Sequence, residues 1–204
     1  MKIYGNSVSP FYRMCVVTAH EAGVADRLEE VNITTKLDEV NARLATLSPI
    51  AKIPVLETDH GHVLHDSRVI MEYFAHVAGN ATLIPDDGVK RFRILTLLAT
   101  AQGLADAAVS LRYETASRPE ALRWPDLMKR LEDRIAATLD VLDAQFIPCL
   151  SEVNVGAIAT AVALDYIELR HARLNWREGR GRLASLHQKF TRRESMLAIP
   201  LPKA

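Results

Sequence analysis

The chain has 204 residues, 49% of them hydrophobic, with 25 basic side chains against 25 acidic ones. That apolar share can bury a core in one large domain or two small ones, and balanced charge with no basic stripe leaves no electrostatic case for nucleic acid. No unbroken apolar run reaches the roughly 18 residues that span a bilayer, so no membrane partner is expected.

The amino end reads as mature sequence, because MKIYG lacks the charged-then-apolar pattern of a leader. With only Cys15 and Cys149, both in apolar surroundings, a disulfide framework is not expected and a reducing cytoplasm is. Residues 1–5 read as a strand, and residues 10–23 as a helix with Met14, Val16 and Val17 inward and Gly23 as its stop. A second strand over 28–33 and a helix over 37–47 follow. Residues 53–57 read as a third strand, turning at Asp59-His60-Gly61 into a fourth over 62–65, at the spacing of a hairpin. A helix then runs over 67–77 and stops at Gly79-Asn80. The order βαβα then ββα predicts a small mixed sheet with helices packed on it.

After Leu83-Ile84-Pro85 the strands vanish. Residues 91–115 are rich in alanine and leucine, with Ile94, Leu98, Ala101, Ala105 and Ala108 at helical spacing. A second helix carries Leu127, Leu131, Ile135, Leu139, Leu142 and Phe146, and either a Ser117/Glu120 capping box or Pro125 opens it. Residues 155–169 are apolar nearly all round, the mark of a helix at the centre of a bundle, and 181–190 supply one more. The predicted fold is thus a small α/β domain over 1–79, a linker over 80–88 and an all-helical domain over 89–204.

Three short stretches carry chemistry. Ser9-Pro10 is first a helix cap, in which serine accepts from a first-turn N–H and proline takes a position whose N–H has no partner. The same geometry has a second use. A helix start presents N–H groups and a dipole that favours negative charge. A thiolate brought there is stabilised, a hydroxyl can donate to it, and its pKa falls from about 8.5 toward neutrality. Ser9 would then stabilise a borrowed sulfur, where a redox protein of similar layout carries its own cysteine. Lys52-Ile53-Pro54 reads as an edge strand that tolerates proline. With a cis bond before Pro54, it reads instead as a turned backbone whose Ile53 N–H and C=O pair with an extended peptide. Asp66-Ser67 again caps a helix. The pair also suits an amino-acid head group, Ser67 taking the carboxylate and Asp66 the ammonium.

His60, His62 and His65 sit in a turn and hairpin with no evident fourth ligand, so no metal is expected. Cys15 reads as a packed thiol, and Tyr4 as strand core whose hydroxyl rivals that of Ser9. Asp165 lies in an apolar run and needs a partner if buried. Trp124 and Trp176 read as packing residues.

On SPFYR, SPIAKIPVL and LHDSRVIMEYF, and on the stretch LDYIELRHARLNWREGRGRLASLHQKFTRRESM, the chain resembles the glutathione S-transferase superfamily over nearly its full length. The bacterial branch with a Ser-Pro-aromatic start looks closest. The resemblance implies a thioredoxin-like N-terminal domain and an all-α C-terminal helical bundle. It implies a cytoplasmic, homodimeric glutathione transferase active in detoxification, with glutathione as co-substrate. Ser9 would then activate the glutathione sulfur, and Ile53, ahead of a cis Pro54, would pair with the cysteinyl backbone. Asp66 and Ser67 would hold the γ-glutamyl head group, and Lys52 would approach the glycyl carboxylate. A small hydrophobic electrophile would lie between the domains, beside Val8, Phe11, Leu104 and Tyr113.

The departures from that family's pattern are specific. Ala51 stands where a glycine is common, and Asp66 where glutamate is common, which shortens the reach to an ammonium. Asn154 can cap the central helix, but Ala157 cannot return the bond, so half a capping box is missing at a cost of about 1 kcal/mol. Three other functions fit the same residues. They are a glutathione-dependent dehalogenase or isomerase, a non-catalytic glutathione-binding or regulatory protein, and a thiol–disulfide oxidoreductase. The absence of any Cys-x-x-Cys argues against the third.

Overall fold

The structure is a computed structural model and describes residues 1–201. The chain divides at Asp86 into two compact units, the first holding 1–86 with the described tail 194–201, the second 87–193.

In the first unit, β1 (Lys2–Gly5) leads into α1 (Pro10–Glu21), and β2 (Glu29–Asn32) returns parallel to β1. A parallel pair needs a crossover, and α1 supplies it. Next come α2 (Ala42–Leu47), β3 (Val55–Glu57), β4 (Val63–His65) and α3 (Ser67–Val77). The sheet order is β2-β1-β3-β4, with β3 antiparallel to β1 and β4 antiparallel to β3. Side chains alternate between the two faces. Tyr4 and Val55 pair on one face and pack with Ile33 and with Leu44 of α2. Ile3 and Leu56 pair on the other, where α1 and α3 pack on each other. Gly5 is pinned by a close approach. A Cβ there would lie 2.1 Å from a ring carbon of Tyr12.

The helix predicted over 37–47 is shorter, starting at Ala42 with Asn41 as its cap, whose side chain accepts from Leu44 N. The reason is burial: Leu37 and Val40 are both exposed, so residues before Asn41 have no apolar face to pack. The tail also departs from expectation. Residues 194–201, read as part of the helical domain, cluster with the first unit through contact with α1, while 202–204 lie outside the described residues.

The second unit is all helical: α4 (Gly88–Arg112), α5 (Pro125–Gln145), α6 (Ile147–Leu150), α7 (Val155–His171) and α8 (Gly181–Phe190). A π turn, Tyr113–Ser117, extends α4. Pro125 opens α5; the region of the rival capping box holds only the short 3-10 turn Glu120–Leu122. Helix α7 is buried without a break from Val155 to Ile167 and packs against α4. The approach is tight at Gly156, where a Cβ would lie 2.6 Å from Leu97 Cγ. The stretch Gly88–Ser117 is long and apolar enough, by length and composition, to cross a membrane, but 56% of its apolar window is buried inside the protein. The sequence reading placed a helix over 91–115 but found no unbroken apolar run there, because Thr96, Thr100, Gln102 and Asp106 interrupt it. In the tail, α9 (Glu194–Ala198) closes the first unit.

The half capping box at α7 is partly made good. Asn154 Oδ1 accepts from Ala157 N at 3.0 Å, and its Nδ2 donates to the carbonyls of Cys149 at 2.8 Å and Glu152 at 3.2 Å. One amide thus satisfies both ends of the turn.

Candidate functional site

Strand register brings three distant stretches to one edge of the sheet. Tyr4 pairs with Val55, and Val55 with His65. Beyond this row, β1 runs out toward Ser9, β3 is entered from Ile53-Pro54, and β4 runs out into Asp66-Ser67. Antiparallel pairing alone requires this, because the end of β1, the start of β3 and the end of β4 must coincide. A further bond joins two of the three: Cys15 Sγ on α1 donates to the Ser67 carbonyl at 3.6 Å.

Ser9, itself half-buried, caps α1 with extended backbone, and its Oγ accepts from Tyr12 N at a long 3.4 Å. Its O–H has no acceptor among the described residues. Of the first-turn donors, Pro10 has no N–H, Tyr12 N goes to Ser9 Oγ, and Arg13 N goes to Ser9 O at 3.0 Å. The N–H of Phe11 is therefore the one left without a partner among the described residues. A hydroxyl and an amide are thus both available where the helix dipole is positive.

The Ile53–Pro54 bond is cis. The ladder begins at Val55, so Ile53 lies outside it, half-buried, and no bond engages its N–H or C=O among the described residues. Lys52 is exposed. Ala51, where the resemblance expects glycine, sits at φ +46°, in the left-handed region that glycine occupies without steric cost.

Asp66 also has positive φ, +71°, and caps α3 by accepting from Arg68 N at 2.9 Å. The Arg68 guanidinium forks onto the same carboxylate, Nε to Oδ1 at 3.1 Å and Nη2 to Oδ2 at 3.0 Å. That fork, more than the other contacts, holds the carboxyl below its usual 3.8. A carboxylate has about four lone-pair sites, so these bonds leave acceptor capacity for an ammonium. Ser67 is buried and opens α3.

Two rival groups are removed by their surroundings. Cys15 is fully buried, and burial first, then the Asp66 charge, pushes its thiol well up, so it stays protonated. Tyr4 turns its hydroxyl to Glu57 and to Arg43, which donates to it at 2.9 Å, on the face opposite α1 and α3. Val8 and Phe11 are half-buried on either side of Ser9-Pro10. Leu104 is fully buried, whereas Tyr113 at the end of α4 is 44% exposed.

Sequence reasoning passed over Asn6. Its signal was an asparagine one residue past a strand, a common turn former. Nor do His60, His62 and His65 gather. Among the described residues, the titratable cluster with ligand spacing is Asp165, Glu168 and His187, whose ligand atoms lie within 4.8 Å of one another. A cation already serves it: Arg177 pairs with Glu168 and donates to His187 Nδ1 at 3.3 Å, leaving Nε2 to donate to Asp165 at 2.9 Å. Asp165 thereby has the partner its burial demands. Trp176 packs edge-on against His187 at 5.2 Å, but Trp124, read as a packing residue, is 61% exposed.

Residues 8–77 match the family described as glutathione S-transferase, N-terminal domain. The chain is 30% identical, over the whole of both chains, to the uncharacterized GST-like protein YibF of Escherichia coli. Among solved structures, a glutathione transferase family member from Pseudomonas fluorescens Pf-5 with bound glutathione superposes at a TM-score of 0.96, with 37% identity over 99% of each chain. A structure of a family member from the same organism, with bound S-(propanoic acid)-glutathione, gives 0.91 with 36% identity over 100% of each chain.

Proposed function

This chain belongs to the glutathione S-transferase superfamily, and from that premise we propose that it is a glutathione transferase in which Ser9 stabilises the thiolate of bound glutathione. The reading rests chiefly on one observation: the Ser9 hydroxyl and the Phe11 N–H are both uncommitted donors at the same helix start. In this reading the glutathione thiol loses its proton to solvent. The sulfur then attacks an electrophilic carbon, a C–S bond forms, and the electron pair leaves with the departing group or enters an adjacent activated π system. The protein's contribution is a lowered thiol pKa and a fixed position for the sulfur.

The rest of the edge suits the tripeptide. Ile53 offers N–H and C=O to the cysteinyl backbone, Asp66 its spare acceptor capacity to the γ-glutamyl ammonium, and Ser67 the start of α3 to the neighbouring carboxylate. Lys52 is free to reach the glycyl carboxylate. Val8 and Phe11 give the acceptor its apolar contacts in the first unit. The relatives that bind glutathione and a glutathione thioether support this assignment of the ligand.

The test is Ser9→Ala with a model aryl halide as acceptor. A hydrogen bond to a charged group contributes about 1.5–3 kcal/mol, so turnover should fall roughly 10- to 100-fold, with glutathione affinity nearly unchanged. Unchanged turnover would transfer the role to the Phe11 N–H. A wild-type protein that binds glutathione and turns over no electrophile would be a binding protein instead.

A further inference from the structure

We infer that Asn6 is the positioning residue for Ser9, setting how far the thiol pKa falls; the inference rests on the reading of Ser9 as the thiolate's donor. Asn6 follows β1 directly and uses two of its polar groups on the segment that carries Ser9 and a third on the neighbouring strand end. Its carbonyl accepts from Ser9 N at 3.1 Å, closing a four-residue turn over 6–9. Its Oδ1 accepts from Val8 N at 3.2 Å, inside that turn. Its Nδ2 reaches out of the turn and donates to the Ile33 carbonyl at 2.7 Å, just past the end of β2. Ile33 is itself fixed, its N–H donating to the Gly5 carbonyl at 2.9 Å.

An ordinary asparagine turn needs only the first two bonds. The third distinguishes this one. It fastens the turn to the parallel pair β1–β2, so the loop ahead of α1 is held from the sheet as well as from the helix. Beyond the helical bond that its carbonyl accepts from Arg13 N at 3.0 Å, Ser9 has little else to hold it. Its side chain makes one long bond, to Tyr12 N at 3.4 Å, and it is half-buried. The direction of its O–H is therefore governed by backbone, which α1 fixes from one side and Asn6 from the other. Thiolate stabilisation by one hydroxyl is steep in distance and angle. A displacement of about 1 Å at such a donor is enough to cost most of the bond. The amide is also neutral, whereas an aspartate here would place a negative charge beside the sulfur it is meant to keep ionised.

The readout that separates positioning from simple folding is the pH profile of the reaction. In Asn6→Ala, the apparent pKa of the enzyme-bound glutathione thiol, from thiolate absorbance and from kcat/KM against pH, should rise by about half to one unit. Turnover at neutral pH should drop about 3- to 10-fold and glutathione affinity should hold. Asn6→Ser keeps an acceptor for Val8 N but cannot reach Ile33 O, so it should fall between the two. Hydrogen exchange of the wild-type protein gives a test that needs no variant. Both the Val8 and Ser9 amides should be protected, and exchange at the rate of open-loop amides would overturn the inference. So would an Asn6→Ala protein with the wild-type pH profile. If the wild type itself ionises no thiol and Ser9→Ala changes nothing, the functional reading fails first, and that result is distinguishable from an Asn6 failure.

Discussion

At Asp66 one carboxylate does two things: it caps α3 and, in the proposed function, attracts an ammonium. The two are separable because capping needs an acceptor and attraction needs a charge. Asn caps as well as Asp does and tolerates the positive φ found here. Asp66→Asn should therefore leave Tm nearly unchanged while raising the Kd for glutathione about 3- to 10-fold, the range of a charge-assisted bond weakened to a neutral one. Calorimetric titration and a melting curve on the same sample check it. Unaltered affinity would mean that Arg68 absorbs the whole charge. Cys15 shows the converse. Its thiol is packed against the α3 start, and burial keeps it neutral and out of the chemistry.

Among elements, the parallel approach of α4 and α7 carries a titratable latch. His171, the last residue of α7, donates from Nε2 to the Ala108 carbonyl of α4 at 2.8 Å and is buried. Burial is the largest influence on it and pulls its pKa below the usual 6.5; Arg173 and Arg112 push the same way, and Glu132 and the Ala108 carbonyl oppose. The unfolded chain then binds the proton more readily than the folded one. The latch is fully in place above about 6.5 and is lost as pH falls through the lower folded value. His171→Gln retains a donor and removes the titration, so its stability should decline less between about pH 7 and 5 than that of the wild type. Urea unfolding across that interval measures the slope, and parallel slopes in the two proteins would refute it.

For the molecule as a whole, the chain returns its tail to the unit it began with. Arg13, almost wholly buried on α1, donates from Nε to the Ile199 carbonyl at 3.2 Å, and Ser195 bonds Glu21 at the far end of α1. Met196 and Ile199 are buried in the same unit. Two such side chains contribute about 3 kcal/mol or more by burial, before counting the acceptor lost to a buried guanidinium. A chain ending at Arg193 should therefore lose at least that much stability, with early exchange of α1 amides seen by hydrogen exchange. A truncated protein that melts like the intact one would show that the tail merely rests there.

The sequence alone determined the class of fold and the starts of α1, α3, α7 and α8. Period two changing to period three and four near Pro85, serine before proline, and glycine after helices are local signals, and local conformational preference produces them. The same signals were weaker where burial decides, as in the shortened α2 and in the region before Pro125. Only the tertiary structure decided what meets what. Strand register carries Ser9, Ile53 and Ser67 to one edge, packing seals Leu104 and Cys15 away, and Asn6 becomes a clamp only because the end of β2 lies beside it. Such pairings depend on residues tens of positions apart, whose proximity is a product of the folded sheet and leaves no periodic trace along the chain.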